Sequence, residues 1–306
     1  HVDLTSQKIQ PKSINKAWLH DYIGGWGLAV KYFCELADPK TDPLSPDNVM
    51  VIMTGPLCGT LAPTASRICL VSKSPHTGTI FETNMGGAFG PELKFAGYDG
   101  MVITGKAEHP VYLRIVDDEV SLEDAKPILG KGIFETERWL AREMGHGVKS
   151  LCIGPAGENL VTYACIGSEA YRQMGRCGAG TLFGSKNLKA IACKGTGGVR
   201  VEDLGVFWEK ITQHKESNLL TDENLWAKNE GTPTLIDVTN EIGIHPTRNY
   251  RGRKGRVFPA SPPSEPCMRF SRTRLSSRWF PHRDWLASAW AVVMVNNPCA
   301  AKKAFG

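Results

Sequence analysis

With 306 residues, 42% of them hydrophobic, and no run of 18 or more apolar residues, the sequence can bury a large core and offers no membrane-spanning helix. Its net charge of +5 is unevenly spread: residues 251–306 carry 11 Lys or Arg against 2 Asp or Glu, whereas residues 1–250 carry 25 against 29. The basic character belongs to the last segment alone, so neither nucleic acid nor a membrane is expected as a partner of the main domain.

The opening HVDLTSQKIQPKS lacks the basic-then-apolar layout of a secretory signal, and a cytoplasmic location is expected. Its first residue is His and not Met, as in a fragment whose start is missing. A helix is predicted behind the glycine turn of AWLHDYIGGWG, where Leu28, Tyr32, Phe33 and Leu36 recur at helical spacing. The Pro-rich TDPLSPDN breaks it, and VMVIMTGP follows as a strand ending at Gly55 and Pro56. RICLVSK, TIFET and GMVITG read as further strands. Between the last two, Pro91 is placed at the first helical position, with Glu92 near the positive helix end and Gly97 as the stop.

PVYLRIVDDEVSLED is predicted to be a hairpin turning at Asp117 and Asp118, with DDE a solvated turn. GIFETERWLAREMG puts Ile133, Phe134, Trp139, Leu140 and Met144 on an amphipathic helix. SLCIG and KAIACKG read as strands on either side of residues 154–184, which hold seven glycines. Strands and helices do not alternate regularly, so the expected fold class is α+β.

The nine cysteines contain no C-x-x-C pair and sit in apolar surroundings, as expected of reduced, buried thiols. His20, His76, His109, His146, His214 and His245 show no metal spacing. Two glycine-rich stretches combine close backbone approach with arginine. TNMGGAFGPEL holds Asn84, Gly86, Gly87 and Gly90, with Arg67 upstream, and YRQMGRCGAG holds Arg172, Arg176, Gly175, Gly178 and Gly180. Such loops suit a phosphate-bearing cofactor, while ordinary tight turns explain either one alone. Neither has the order of a dinucleotide fingerprint, and GSKNLK lacks the spacing of a Walker loop.

The ordered series GGWGLAVKYF, DPLSPDN, GPLCGTLAPTASR, SKSPHTG, NMGGAFGPELKFAGYDGMVITGKAEHPVYL, IGPAGENLV, GRCGAGTLFGSKNLKAIACKG and GIHPTRNY, across about residues 2–250, resembles the tungsten-containing aldehyde:ferredoxin oxidoreductase family. That resemblance implies an amino-terminal domain of two β-sheets with flanking helices, forming the base for a bis-pterin cofactor that holds tungsten (or molybdenum). By position it implies Arg67, Asn84 and Gly86 as contacts of one pterin, and Arg172, Gln173 and Gly175 as contacts of the other. It also implies a magnesium ion between the pterin phosphates, held by main-chain carbonyls of Asn84 and Gln173. Gln173 departs from the small residue usual there.

The implied reaction oxidises an aldehyde to a carboxylic acid and sends electrons through a [4Fe-4S] cluster to ferredoxin, with a homodimer left open. The expected domains are 1–205 for the pterin-binding part, 206–250 for the start of a helical second domain, and 251–306 for an aberrant basic tail, disordered or frame-shifted. In the family's C-x-x-C-x-x-x-C cluster segment Cys267 would be the first ligand, but Phe270 and Arg274 occupy the next two positions. One thiolate cannot hold a four-cysteine cluster, so this chain alone is expected to be inactive. A non-catalytic pterin-binding fragment and a relative acting on an aromatic acyl thioester are the alternatives.

Overall fold

The computed structural model describes residues 1–224 and 235–244. The chain separates into two units, His1–Trp208 and Glu209–Gly306. The first unit holds two six-stranded mixed sheets. The expected α+β class is what the structure has.

Sheet A contains β1 (Val2–Asp3), β2 (Lys8–Ile9), β3 (Met50–Thr54), β4 (Ile68–Lys73), β5 (Ile80–Met85) and β6 (Gly100–Thr104), in the order β2-β1-β6-β3-β4-β5. Sheet B contains β7 (Val111–Val116), β8 (Glu119–Asp124), β9 (Lys149–Cys152), β10 (Ile166–Ser168), β11 (Arg172–Met174) and β12 (Leu188–Lys194), in the order β11-β10-β9-β12-β7-β8. Each sheet has one parallel pair, β1 with β6 and β12 with β7. Every other pairing is antiparallel.

Three apolar clusters explain the strand patterns. One central core takes Met50, Ile52, Ile68 and Leu70 from sheet A and Leu113, Ile115, Ile191 and Cys193 from sheet B, together with α3 (Phe89–Phe95) and α6 (Ala179–Ser185). The outer face of sheet A, with Val51, Met53, Cys69 and Val71, packs on α2 (Gly25–Leu36) through Leu28, Ala29 and Phe33. Full burial of side chains such as Leu28 and Phe33 contributes about 1.5 to 3 kcal/mol each. β3 reads as an unbroken apolar run because both of its faces are covered.

The outer face of sheet B carries small Ala190 and Ala192, which leave room for Leu140 and Trp139 of α4 (Ile133–Met144). Trp139 meets Tyr112 edge to face, with ring centroids 5.9 Å apart. Phe134 departs from the expected apolar stripe: it is 49% exposed and stacks edge to face on Tyr171. The glycine turn behaves as expected, since Ile23 (φ 64°), which follows α1 (Lys16–Tyr22), and Gly25 (φ 52°), which opens α2, both have positive φ. Asn15 caps α1 by accepting the Ala17 N–H at 2.9 Å.

Helix α3 begins two residues earlier than expected, at Phe89, so Pro91 lies third in it. A proline is tolerated there because the first turn of a helix has no intrahelical use for its N–H groups. Residues 154–184 hold more structure than their glycine count suggested: α5 (Pro155–Glu158), β10, β11 and α6. The hairpin turn at Asp117 is more than solvated, since its carboxylate accepts the Thr196 N–H at 2.6 Å and the Thr196 hydroxyl at 2.9 Å.

Among the described residues, no helix is long and apolar enough to cross a membrane and no cluster of metal-ligating side chains occurs. The described cysteines are free thiols, with Cys58, Cys69, Cys152 and Cys193 buried. Burial pushes the Cys58 thiol up to about 11 and the Cys69 thiol up to about 12. Helix α7 (Leu204–His214) leads to a π-helical turn at Lys215–Leu219, a 3-10 turn at Asp222–Asn224 and α8 (Leu235–Glu241). His245, the expected tail from residue 251, Cys267 and Cys299 lie outside the described residues.

Two lysines are buried in the first unit. Lys189 donates to the Lys131 carbonyl at 2.8 Å and the Ile153 carbonyl at 2.6 Å, and pairs with Glu158. Lys186 donates only to neutral carbonyls among the contacts seen, Pro46 at 2.9 Å and Gly105 at 3.0 Å, and burial brings its ammonium down from 10.5 to about 8. Asp47 and Asp3 oppose that fall.

Between pH 8 and 10.5 the unfolded chain therefore binds a proton that the folded chain does not, so stability rises with pH across that window. The rise is on the order of 3 kcal/mol, at about 1.4 kcal/mol per tenfold change in proton affinity. Urea unfolding of wild type and Lys186→Met from pH 7.5 to 10.5 checks this. The wild type should gain stability relative to the variant, and parallel curves would rule the effect out.

Candidate cofactor site

The two glycine-rich stretches flank the edges of the two sheets. β5 is the last strand of sheet A, β11 is the last strand of sheet B, and the two edges touch. Residues about 90 positions apart are thereby gathered into one region.

On the sheet A side, Asn84 pairs with Cys69 across the β4–β5 ladder, and Arg67 immediately precedes β4. The Arg67 guanidinium donates to the Asn84 side-chain oxygen, and the Asn84 amide donates to Glu82 at 2.8 Å. Arg67 and Asn84 are both exposed. On the sheet B side, Arg172 and Gln173 open β11, with Gln173 opposite Gly167 and exposed. The Cγ of Arg172 lies 3.3 Å from where a Cβ of Gly87 would sit, so its stem runs along the first glycine loop.

The glycines separate into two kinds. A Cβ on Gly180 would stand 2.5 Å from the Cys165 carbonyl oxygen, and one on Gly184 would stand 1.9 Å from that of Gly157. Gly178 has φ +78°, and its Cβ would fall 2.4 Å from the Thr162 carbonyl oxygen. Gly90 faces Ile68 and Cys58 at 2.6 and 2.9 Å. Close packing accounts for these four, so Gly178, Gly180 and Gly90 do not need the anion-binding role that composition suggested for them. Gly86 differs: its backbone is not left-handed, and a Cβ there would meet no atom of the described residues within 4 Å. Gly175 is similar, with Cys165 Sγ at an ordinary 3.6 Å. Internal packing does not call for glycine at either place, which fits a surface where an outside group must come close to the backbone.

The expected anion-binding start of α3 is already engaged. The Ala88 N–H donates to Glu169 Oε2 at 2.7 Å, and that oxygen would be 2.1 Å from a Cβ on Gly87, whose φ is +114°. Lys149 approaches the other oxygen of Glu169 at 3.4 Å. Glu169 and Ala170 form a turn with φ of 48° and 65°. Glu137 of α4 accepts the Ala170 N–H at 2.9 Å, with the Glu169 N–H close by. Burial raises the Glu137 carboxyl above its usual range, and nearby Glu169 adds to this, while those N–H donors and Lys149 pull the other way. Sequence reasoning missed Glu169, Glu137 and Lys149, because no local pattern signals a carboxylate that meets a loop 81 residues away.

In sequence and fold the chain is similar to known proteins. The family model described as aldehyde ferredoxin oxidoreductase, N-terminal domain, matches residues 1–195. The tungsten-containing aldehyde ferredoxin oxidoreductase of Pyrococcus abyssi is 43% identical over 253 residues, which cover 82% of this chain and 42% of the relative. The aliphatic sulfonate oxidoreductase, WOR-like subunit, of Pyrococcus furiosus is 36% identical over 274 residues with the same coverage of both chains. The solved active site complex BamBC of benzoyl coenzyme A reductase, with 1,5 dienoyl-CoA, matches with a TM-score of 0.68 and 34% identity, over 72% of this chain and 35% of that one. The chain thus spans 42% of the length of the curated relatives cited. With a family model covering most of the described residues and a fold of two mixed sheets shared with a solved relative, the chain belongs to the aldehyde ferredoxin oxidoreductase family and carries its amino-terminal domain.

Proposed function

We propose that residues 1–205 form the cofactor base of an aldehyde:ferredoxin oxidoreductase, with residues 206–250 beginning a helical second domain. Arg67, Asn84 and Gly86 hold one pterin, and Arg172, Gln173 and Gly175 hold the other. The main-chain carbonyls of Asn84 and Gln173 would hold a magnesium ion. What carries this reading is that both sets of residues flank adjoining sheet edges, with Gly86 and Gly175 free of any packing reason to be glycine.

Bound there, a tungsten (or molybdenum) bis-pterin would supply two-electron chemistry, turning aldehyde and water into carboxylic acid with release of two protons and two electrons. The chain's own part is to bind and orient. Arg67 and Arg172 supply charge-assisted hydrogen bonds to phosphate, and the glycines let main-chain N–H groups approach. In the complete protein a [4Fe-4S] cluster would supply the one-electron chemistry needed to pass electrons on to ferredoxin. That cluster needs more thiolates than Cys267 provides, so turnover belongs to a longer protein.

The 306-residue chain alone is therefore expected to give no aldehyde-dependent reduction of a viologen dye, while a version extended to the length of the relatives does. Robust turnover by the short chain would sink the division of labour. A second reading, an aromatic acyl thioester as substrate, is favoured by the likeness to the benzoyl coenzyme A reductase structure. Offering the extended protein aldehydes and aromatic acyl thioesters side by side separates the two.

A further inference from the structure

Glu169 ties the two sheet edges together beside the first glycine loop, as Ser74 does further along by donating to the Cys177 carbonyl at 2.8 Å. Its carboxylate fills the space that a side chain at position 87 would take, accepts the Ala88 N–H at 2.7 Å, and faces Lys149 at 3.4 Å. It can do so because the chain turns sharply at Glu169 and Ala170, both in left-handed backbone that costs energy for residues other than glycine. Glu137 holds that turn by accepting the Ala170 N–H at 2.9 Å. Two positions further on, Arg172 leaves the turn with its stem against Gly87. Glu169 thus touches the backbone beside Gly86 and is part of the turn that launches Arg172.

We infer that Glu169 is a positioning residue, which fixes the Gly86–Ala88 loop of one sheet against the Arg172 turn of the other, with Glu137 holding that turn. The inference rests on the cofactor reading for its consequence, since the spacing between Gly86 and Arg172 is the spacing between the two groups of proposed pterin contacts. The clamp itself consists of contacts within this chain. A carboxylate suits the task because a charge-assisted hydrogen bond to a main-chain N–H is shorter and stronger than a neutral one. Gln at 169 keeps an oxygen for Ala88 and loses the attraction to Lys149.

The test is amide hydrogen exchange on the full 306-residue chain, wild type against Glu169→Ala and Glu169→Gln, followed for peptides covering 86–88, 169–172 and β3. The alanine variant should expose the 86–88 and 169–172 amides at least about tenfold faster, the size expected from losing a charged hydrogen bond. β3 should be unchanged, and Gln should restore much of the protection. Equal acceleration in β3 would mean that Glu169 only adds to global stability, and unchanged exchange at 86–88 would mean that it clamps nothing; either overturns the inference. Should Glu169→Ala fail to fold, the glutamine variant carries the same comparison, with a smaller local effect expected and an unchanged one decisive against.

Pterin content, read by fluorescence of the oxidised form on the same proteins purified from a host that makes the cofactor, forms the second arm. Loss in the alanine variant with retention in wild type supports the spacing role, and full retention in both overturns it. A wild type with no pterin counts against the cofactor reading and leaves the clamp to the exchange result.

Discussion

Replacing Arg67 or Arg172 with alanine, in a chain extended to the length of its relatives, is expected to remove tungsten and pterin together while leaving the protein folded. Pterin phosphates are multiply charged, and each lost charge-assisted hydrogen bond weakens binding by about 1.5 to 3 kcal/mol, roughly 10- to 150-fold. Arg67 is exposed and bonded to Asn84 alone among its contacts seen, so its removal takes little from the fold. Arg172 lies along Gly87, and its loss should also loosen that loop. Asp118→Ala, at a hairpin turn distant in sequence from both sets, is the control and should change neither quantity. Elemental analysis for tungsten and fluorescence of oxidised pterin, on variants checked by circular dichroism, give the answer. Full cofactor in both arginine variants would make the two loops ordinary turns, although the family assignment would stand.

The second large effect separates glycines that serve packing from those that serve binding. Gly184→Ala places a methyl 1.9 Å from the Gly157 carbonyl oxygen, a backbone atom fixed by α5 packing on α6. Alanine gains about 1 kcal/mol of intrinsic helix preference over glycine, but overpacking of a dense core costs about 1 to 3 kcal/mol and occasionally more. With backbone on both sides of the clash, the cost should win and reach at least the top of that range. Gly86→Ala meets no atom of the described residues within 4 Å and requires no unusual backbone, so its unfolding free energy in urea should stay within about 0.5 kcal/mol of wild type, as surface changes usually do. Its pterin content should fall if Gly86 is a pterin contact as proposed, because the methyl would then stand between main chain and ligand. A stable Gly184→Ala would discredit the close packing of α5 and α6, and a fully loaded Gly86→Ala would discredit the binding role of that loop.

Much of the fold was readable from local pattern. VMVIMTGP, RICLVSK and KAIACKG announced β3, β4 and β12 because strands covered on both faces need apolar residues at consecutive positions. α4 was placed by its helical spacing, and the β7–β8 hairpin turned at Asp117 as expected. The short strands β1, β2, β10 and β11 were not readable, since two or three residues carry no period and their pairing is set by partners far along the chain. Phe134 was misplaced for a related reason: spacing describes one helix, whereas exposure depends on where the neighbouring sheet ends.

The sequence by itself determined the fold class, the family resemblance and the residue types at the two glycine-rich loops, because strand and helix periods and glycine–arginine motifs are properties of contiguous residues. Only the tertiary structure decided which glycines are there for packing, Gly90, Gly178, Gly180 and Gly184, and which leave backbone open, Gly86 and Gly175. It alone brought the β5 and β11 edges together and set Glu169 on the Ala88 N–H. Those outcomes depend on which residues from distant segments share a few ångströms, and that follows from how two sheets pack on one core rather than from the order of residues in any one segment.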